Sequence, residues 1–170
     1  DAAWLDYHAS TVLRRADLHA HPLMAESLFF FRGRPGDGRP LARRPGSLFQ
    51  NQISLDGLGR AGLGVVAWAV YSAPVLHRGR GHLREVLRQV RVLREFCDAH
   101  RESVEVALDP EQAETIAASG RTAVLLAVEG GHGIGSPGDV DALYEAGVRM
   151  VTPIHMLDNA LGGAAAGRLA

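Results

Sequence analysis

Three apolar runs, each long enough for a buried strand, constrain the fold of this chain more than any other feature. They are GLGVVAWAVYS at 62–72, TAVLLAVEGGH at 122–132 and VRMVTPIH at 148–155. Nearly continuous apolar runs with β-branched residues are typical of strands that are buried on both faces of a parallel sheet. We therefore expect these runs to form strands of one parallel sheet.

Segments with helical features separate the apolar runs. DPEQAETIAAS at 109–119 and SPGDVDALYEAG at 136–147 each begin with a capping residue followed by proline, and glycine stands at or just after their ends. Shorter strands are expected at ADLHAHP, 16–22, and at SVEVAL, 103–108. A longer amphipathic helix is predicted from apolar residues at helical spacing, namely Leu83, Val86, Leu87, Val90, Leu93 and Cys97. This alternation predicts an α/β fold with about four parallel strands and helices outside them.

Two further segments lie before the second strand. Residues 3–16 have the pattern of a short amphipathic helix. Residues 32–60 are rich in glycine, proline and arginine, which is the composition of a loop. This loop is long for a connection inside a compact domain, so a solvated insertion and a mobile lid both stay open.

Charge and composition exclude several classes of function. The formal net charge is -1, which gives no reason to expect nucleic acid or an anionic membrane as a partner. All 18 basic residues are arginine, which rules out a Schiff-base lysine and a P-loop lysine. The single cysteine, Cys97, is expected in the core. No membrane span or leader is visible, but the chain begins at Asp1 without methionine, so the compartment stays open with the cytoplasm favoured.

Polar side chains gather where the predicted strands end. His19 and His21 close the first strand, Glu129 follows the uncharged run AVLLAV, and His155 follows VRMVTPI. Because the carboxyl ends of parallel strands face one common opening, we expect these side chains to lie close together.

The residue types at these ends suit a divalent metal ion. Residues i and i+2 of a strand point to the same face, so His19 and His21 could bind one ion. A carboxylate such as Glu129 is costly to bury unless a metal or an arginine pairs with it. Histidine and carboxylate ligands suit zinc best, although other transition metals also accept them. Read singly, the H-x-H could be chance and Glu129 a solvated turn residue, and His132 in GGHGIG could contact substrate or only close the turn.

Three motifs together resemble the membrane dipeptidase family, peptidase family M19 of the amidohydrolase superfamily. They are DLHAH near the start, AVEGGHGI in the middle and VRMVTPIHMLDNALGG near the end, and the similarity spans roughly residues 14–163. The resemblance implies a (β/α)8 barrel of the TIM type, which needs about 250 residues. The 170-residue chain is therefore expected to be a single partial barrel domain over 1–170, the N-terminal half, with the loop at 32–60.

The family resemblance also implies roles for the strand-end residues. It makes His19 and His21 ligands of one zinc ion and Glu129 the carboxylate that bridges two divalent ions. The family usually carries aspartate at the position of His21, so this residue departs from the pattern. His155 is implied as the catalytic histidine that contacts substrate and polarises the scissile carbonyl. Contacts with substrate are implied for three residues, His132, His155 and Asn159.

The implied activity is that of a zinc-dependent dipeptidase, which cleaves the peptide bond of dipeptides with a metal-activated water. Its partner is a small peptide substrate, and a homodimer stays open. Because later strands supply the remaining ligands in this family, the chain by itself is expected to be inactive.

Two other readings stay open at this point. PHP-type phosphoesterases and TatD-like nucleases are metal-dependent barrels that begin with a similar D-x-H-x-H motif. The E-G-G-H turn and the scarcity of basic residues beside the strand ends count against both. A non-catalytic half-barrel, a pseudo-enzyme, is the third reading.

Overall fold

The computed structural model describes residues 15–22, 53–74 and 76–165 and shows an α/β fold. The strands are β1 (Arg15–Ala20), β2 (Leu63–Tyr71), β3 (Val104–Val106), β4 (Thr122–Glu129) and β5 (Val148–Thr152). The helices are α1 (Leu55–Ala61), α2 (Arg80–Ala99), α3 (Pro110–Ala118) and α4 (Pro137–Glu145). Every pairing between these strands is parallel, which confirms the predicted α/β class.

β4 lies at the centre of the 5-stranded sheet. Its residues 123–129 pair with residues 65–71 of β2, and β1 pairs with β2 on the far side. β3 pairs with the first residues of β4 and β5 with the last, so both lie along the edge of β4 that faces away from β2. The path through the sheet is therefore β1, β2, β4 and β3, with β5 paired to β4 beside β3, so the sheet has five strands where about four were expected.

The main hydrophobic core lies between the sheet and α2. Trp68 of β2 and Phe96 of α2 are both fully buried, and their ring centroids are 6.1 Å apart. The apolar stripe predicted for α2 is buried along most of its length, including Leu93 and Cys97. Burial raises the pKa of the Cys97 thiol to about 12, with Asp98 and Glu105 adding to the effect. Cys97 is therefore an inert core residue, as predicted.

The helices after β3 and β4 begin where their capping sequences indicate. The side chain of Asp109 accepts a hydrogen bond from the backbone N–H of Gln112 at 2.8 Å, and Pro110 is the first residue of α3. Gly120 and Gly147 follow α3 and α4 with φ of 96° and 100°, a left-handed conformation that favours glycine. The local sequence therefore indicates where both helices begin and end, although the Ser136 side chain before α4 makes no capping hydrogen bond.

Some predicted helices and strands end at other residues than expected. Arg15 and Ala16, expected at the end of a helix over 3–16, belong to β1, and the rest of that helix lies outside the described residues. The strand expected over 148–155 ends at Thr152, because Pro153 has no N–H to donate to a sheet. The strand in the run at 122–132 ends at Glu129, where the acidic, glycine-rich turn was expected.

The last residues of the predicted loop over 32–60 are helical. Residues 55–60 belong to α1, because Ser54 caps this helix by accepting a hydrogen bond from the N–H of Gly57 at 3.1 Å. Leu58 of α1 is buried against the core and holds the helix in place. Residues 32–52 lie outside the described residues. Within the described part of the chain, no helix is both long and apolar enough to cross a membrane.

Candidate metal centre

The end of β1 delivers two imidazoles to the carboxyl edge of the sheet. His19 lies in β1 and keeps 46% of its side-chain surface exposed, whereas His21 follows the strand and keeps 11%. The backbone N–H of His19 donates to Oδ1 of Asp17 at 3.0 Å, which fixes the chain just before the pair. The Nε2 atoms of the two histidines are 2.9 Å apart, so both rings point at the same place.

Glu129 is the last residue of β4 and lies at the centre of a histidine cluster. Its Oε1 is 3.2 Å from Nε2 of His19, and its Oε2 is 3.2 Å from Nε2 of His21. Nδ1 of His155 is also 3.2 Å from Oε1 of Glu129. Burial alone would raise the pKa of Glu129, but the hydrogen bond from His21 and the charges of His21, His155 and His19 outweigh it and lower the pKa. The carboxylate is therefore ionised at neutral pH.

These contacts fit a divalent metal ion. Ligand atoms of His19, His21 and Glu129 all lie within 4.8 Å of one another. Two imidazole nitrogens 2.9 Å apart can coexist without a cation only if one of them carries a proton toward the other. Neutral imidazole and ionised carboxylate are ligands that zinc accepts. The part of the chain that the structure describes thus brings together the three predicted ligands.

His155 reaches this cluster from the segment that follows β5. Its neighbour Met156 has a φ of 58°, an uncommon conformation for a residue other than glycine. The N–H of Leu157 donates to the carbonyl of His155 at 2.6 Å, so the backbone folds back directly after the histidine. This tight bend directs the imidazole of His155 toward Glu129.

The glycine-rich turn after β4 packs against the segment after β5. The N–H groups of Gly130 and Gly131 donate to the carbonyls of Thr152 at 2.9 Å and Pro153 at 2.8 Å. A Cβ atom at Gly131 would lie 2.5 Å from Cδ1 of Leu161 and 2.9 Å from the Pro153 oxygen. The glycines therefore allow a close backbone approach that brings Glu129 and His155 to the same place.

His132 lies beside the cluster without joining it. Its two ring nitrogens are buried and have no hydrogen-bond partner among the described residues. Its ring centroid is 5.5 Å from that of His82, whose Nδ1 is 3.0 Å from Oγ of Ser72. Burial, and then the charge of His155, lower the pKa of His132. The lowered pKa favours the neutral form of His132, and substrate contact by this residue stays a prediction.

The side chain of Asn159 holds its own loop. Its Nδ2 donates to the carbonyl of Pro153 and its Oδ1 accepts from the N–H of Leu161, both at 2.8 Å. Both polar ends of the amide are therefore used within the segment after β5. Contact between Asn159 and substrate stays a prediction as well.

Tyr71 is a residue of this site that the sequence analysis did not select. It ends β2, and its ring centroid lies 5.3 Å from that of His155. The signal was present in the sequence, because Tyr71 ends a buried strand in the same way as Glu129 does. Histidines, carboxylates and an amide at the strand ends indicate metal or substrate binding, whereas an aromatic residue there is equally typical of a buried core.

Comparison with known proteins shows the family of this chain. The family model described as membrane dipeptidase, peptidase family M19, matches residues 32–169. This range includes Glu129 and His155, whereas His19 and His21 precede it.

Two solved structures have a similar fold. One is described as dipeptidase AC, a metallopeptidase of family M19, with a TM-score of 0.66 and 17% identity over 85% of this chain. The other is the probable dipeptidase PvdM from Pseudomonas aeruginosa, with a TM-score of 0.63 and 20% identity over 91% of this chain. The chain spans 43% and 37% of their lengths, so it corresponds to part of a TIM-type barrel. Because the family model matches most of its length, the chain belongs to the membrane dipeptidase family, peptidase family M19.

Proposed function

We propose that this chain supplies part of the active site of a zinc-dependent dipeptidase, which hydrolyses the peptide bond of dipeptides. The observation that carries this proposal is the convergence of His19, His21 and Glu129 within 4.8 Å at the carboxyl end of the sheet. Family membership and the barrel-like fold support the same reaction class.

The three converging residues would hold the metal. Glu129 presents Oε1 to His19 and Oε2 to His21, so both of its oxygens face the candidate centre. We propose that the complete site binds two divalent ions and that Glu129 would help to hold them. When bound there, zinc would polarise a carbonyl and lower the pKa of a water molecule to about 7.

His155 has a separate part in the proposed reaction. Its Nδ1 faces Glu129, which leaves Nε2 as the nitrogen that is available to a substrate oxygen. An N–H at that position would stabilise the negative charge that develops on the carbonyl oxygen of the scissile bond. His132 lies close to His155, and Asn159 shapes the segment that carries it, so we propose that both border the bound dipeptide.

A substrate panel tests the reaction class in the complete protein that contains this chain. We expect release of free amino acids from dipeptides and no turnover of phosphoesters or oligonucleotides. Turnover of phosphoesters alone would assign the site to a phosphoesterase or nuclease, and the dipeptidase proposal would be wrong.

Metal content tests the site itself. For the complete protein we expect about two divalent ions per chain in elemental mass spectrometry. Glu129→Ala should lower this number, because the central carboxylate is lost. Glu145→Ala is the matched control, since Glu145 is an exposed glutamate at the end of α4. Equal metal content in the two variants would remove Glu129 from the metal site.

A further inference from the structure

Tyr71 lies directly beside Glu129 in the sheet. The two residues are partners in the register between β2 and β4 and are the last residues of their strands. Side chains of residues that are level in neighbouring strands point to the same face of a sheet. The phenol ring of Tyr71 therefore rises on the face that carries the Glu129 carboxylate.

The ring of Tyr71 contacts the imidazole of His155. The two ring centroids are 5.3 Å apart and the ring planes meet at 83°, which is the edge-to-face arrangement that aromatic rings favour. The imidazole of His155 thus has the Glu129 carboxylate at its Nδ1 and the phenol ring as an aromatic neighbour. Its side chain comes from an irregular segment, so these contacts restrict its orientation.

The backbone of Tyr71 is held by a buried glutamine. Gln89 has 0% exposure and lies among apolar residues on the core side of α2. Its Nε2 donates to the carbonyl of Tyr71 at 2.8 Å, and its Oε1 accepts from the N–H of Tyr71 at 3.4 Å. Because a buried amide is costly unless its hydrogen bonds are made, this pairing holds the end of β2 in one position.

A carboxylate on the same helix orients the glutamine. Oε1 of Glu85 accepts a hydrogen bond from Nε2 of Gln89 at 2.9 Å, and Arg88 donates to both oxygens of Glu85. The amide of Gln89 is therefore fixed from its own helix and from β2 at once. The resulting chain of contacts runs from α2 through Tyr71 to His155.

We propose that Gln89 and Tyr71 are positioning residues, which together hold the imidazole of His155 against Glu129. Gln89 fixes the backbone at the end of β2, and the ring of Tyr71 fixes the imidazole. This inference rests on the proposed function for its kinetic consequence, whereas the orientation of the His155 ring can be measured without any activity.

Kinetics of the complete protein test the consequence for turnover. Misplacement of a reacting group by about 1 Å can cost up to about 100-fold in rate, so Tyr71→Leu should lower kcat by at least tenfold with little change in KM. Tyr71→Phe keeps the ring and should restore kcat to within about twofold of the parent. Tyr144→Leu, an exposed tyrosine on α4, is the matched control and should leave kcat unchanged. An unaltered kcat in Tyr71→Leu, or an equal loss in Tyr71→Phe, would overturn the positioning role.

Nuclear magnetic resonance of the histidine rings tests the contact directly. With selectively labelled histidine, the His155 ring protons, assigned through His155→Gln, should show a ring-current shift in the parent protein and in Tyr71→Phe. The shift should disappear in Tyr71→Leu and change in Gln89→Met, which has a similar volume but cannot bond to the backbone of Tyr71. Absence of the shift in the parent protein overturns the inference even if every leucine variant fails to fold.

The two measurements separate the two proposals. A ring-current shift in a protein that hydrolyses no dipeptide would leave the positioning contact standing and remove the proposed reaction. Dipeptide hydrolysis without the ring-current shift would leave the proposed reaction standing and remove the positioning contact.

Discussion

His21 is the candidate ligand at which this chain departs from the family pattern. The family pattern leads one to expect aspartate at this position, and an imidazole is longer and places its ligand atom farther from the backbone. The structure accommodates that length, because Nε2 of His21 lies 2.9 Å from Nε2 of His19 and 3.2 Å from Oε2 of Glu129. His21 is also nearly buried, so its ring is held by its surroundings. Both histidines of the H-x-H pair therefore reach Glu129 despite the departure from the family pattern.

Gly131 shows how one backbone position controls the site. Gly131→Ala would place a Cβ atom 2.9 Å from the carbonyl oxygen of Pro153, which cannot move independently of the backbone. We expect the variant to lose about 1–3 kcal/mol of unfolding free energy, because overpacking forces the two segments apart. The measurement is the midpoint of urea unfolding.

Gly135→Ala is the matched control in the same turn. Its nearest neighbour would be Oδ2 of Asp139 at 3.7 Å, which is an ordinary van der Waals contact. This variant should unfold within about 0.5 kcal/mol of the parent. Equal midpoints for the two alanine variants would show that the close approach at Gly131 does not matter for stability.

At the scale of elements, α2 both covers the core and supports the site. Its buried face is apolar except for His82 and Gln89, and both of these contact residues at the end of β2. His82 bonds to Ser72, and Gln89 bonds to Tyr71. One helix thus joins the hydrophobic core to the carboxyl end of the sheet through two polar contacts.

The lowered pKa of Glu85 indicates how the stability of the protein depends on pH. Burial raises the pKa of its carboxyl, but hydrogen bonds from Arg88 and Gln89 and the charges of Arg88 and His77 outweigh burial and lower it below 4.5. A carboxyl whose pKa is lowered in the folded state stabilises the protein above its unfolded pKa, and this stabilisation disappears as the pH falls. Glu85→Gln should therefore lower the unfolding free energy by about 1–3 kcal/mol at pH 7 and by less near pH 3.

Urea unfolding of both proteins across this pH range checks the prediction. Glu95→Gln provides the control, because Glu95 is exposed on the same helix. It should change the unfolding free energy by no more than about 0.5 kcal/mol at either pH. A difference between Glu85→Gln and the parent that stays constant from pH 7 to pH 3 would show that the Glu85 charge contributes nothing.

At the scale of the whole molecule, the sheet has two central strands and three strands at its outer edges. β4 and β2 have strand neighbours on both sides, whereas β1, β3 and β5 pair on one side only among the described residues. Several large apolar side chains are exposed near the outer strands and on α4, namely Leu18, Val140, Tyr144, Val151, Met156 and Leu161. The most stable part of the molecule is therefore expected at β2 and β4.

Hydrogen exchange of the 170-residue chain tests this order. The amides of β2 and β4 should exchange most slowly, because their opening requires disruption of pairs on both sides and of the core. The amides of β1 and β5 that point away from the sheet should exchange fast. Slow exchange along those outer edges would show that something else pairs with them.

Much of the fold follows from local sequence. Apolar runs predict the strands, capping residues predict α3 and α4, and the apolar spacing between Leu83 and Cys97 predicts α2. The positions of His19, His21 and Glu129 at strand ends mark them as candidate ligands from the sequence alone. These features are local because backbone periodicity and capping depend on residues only a few positions apart.

Only the tertiary structure decided how distant segments meet. It brought His19 and Glu129 into contact, gave Tyr71 a place beside His155, and directed the amide of Asn159 into its own loop. It also ended the last strand at Thr152 and placed β3 and β5 along the same edge of β4. Such contacts depend on strand order, on register and on the packing of the loops that follow the strands. The strand ends predicted that His19 and Glu129 would lie close together, but no local pattern predicted the contacts of Tyr71 and Asn159. The sequence by itself thus determined the elements and the residues available for the chemistry, and sheet order and packing determined which of those residues share one site.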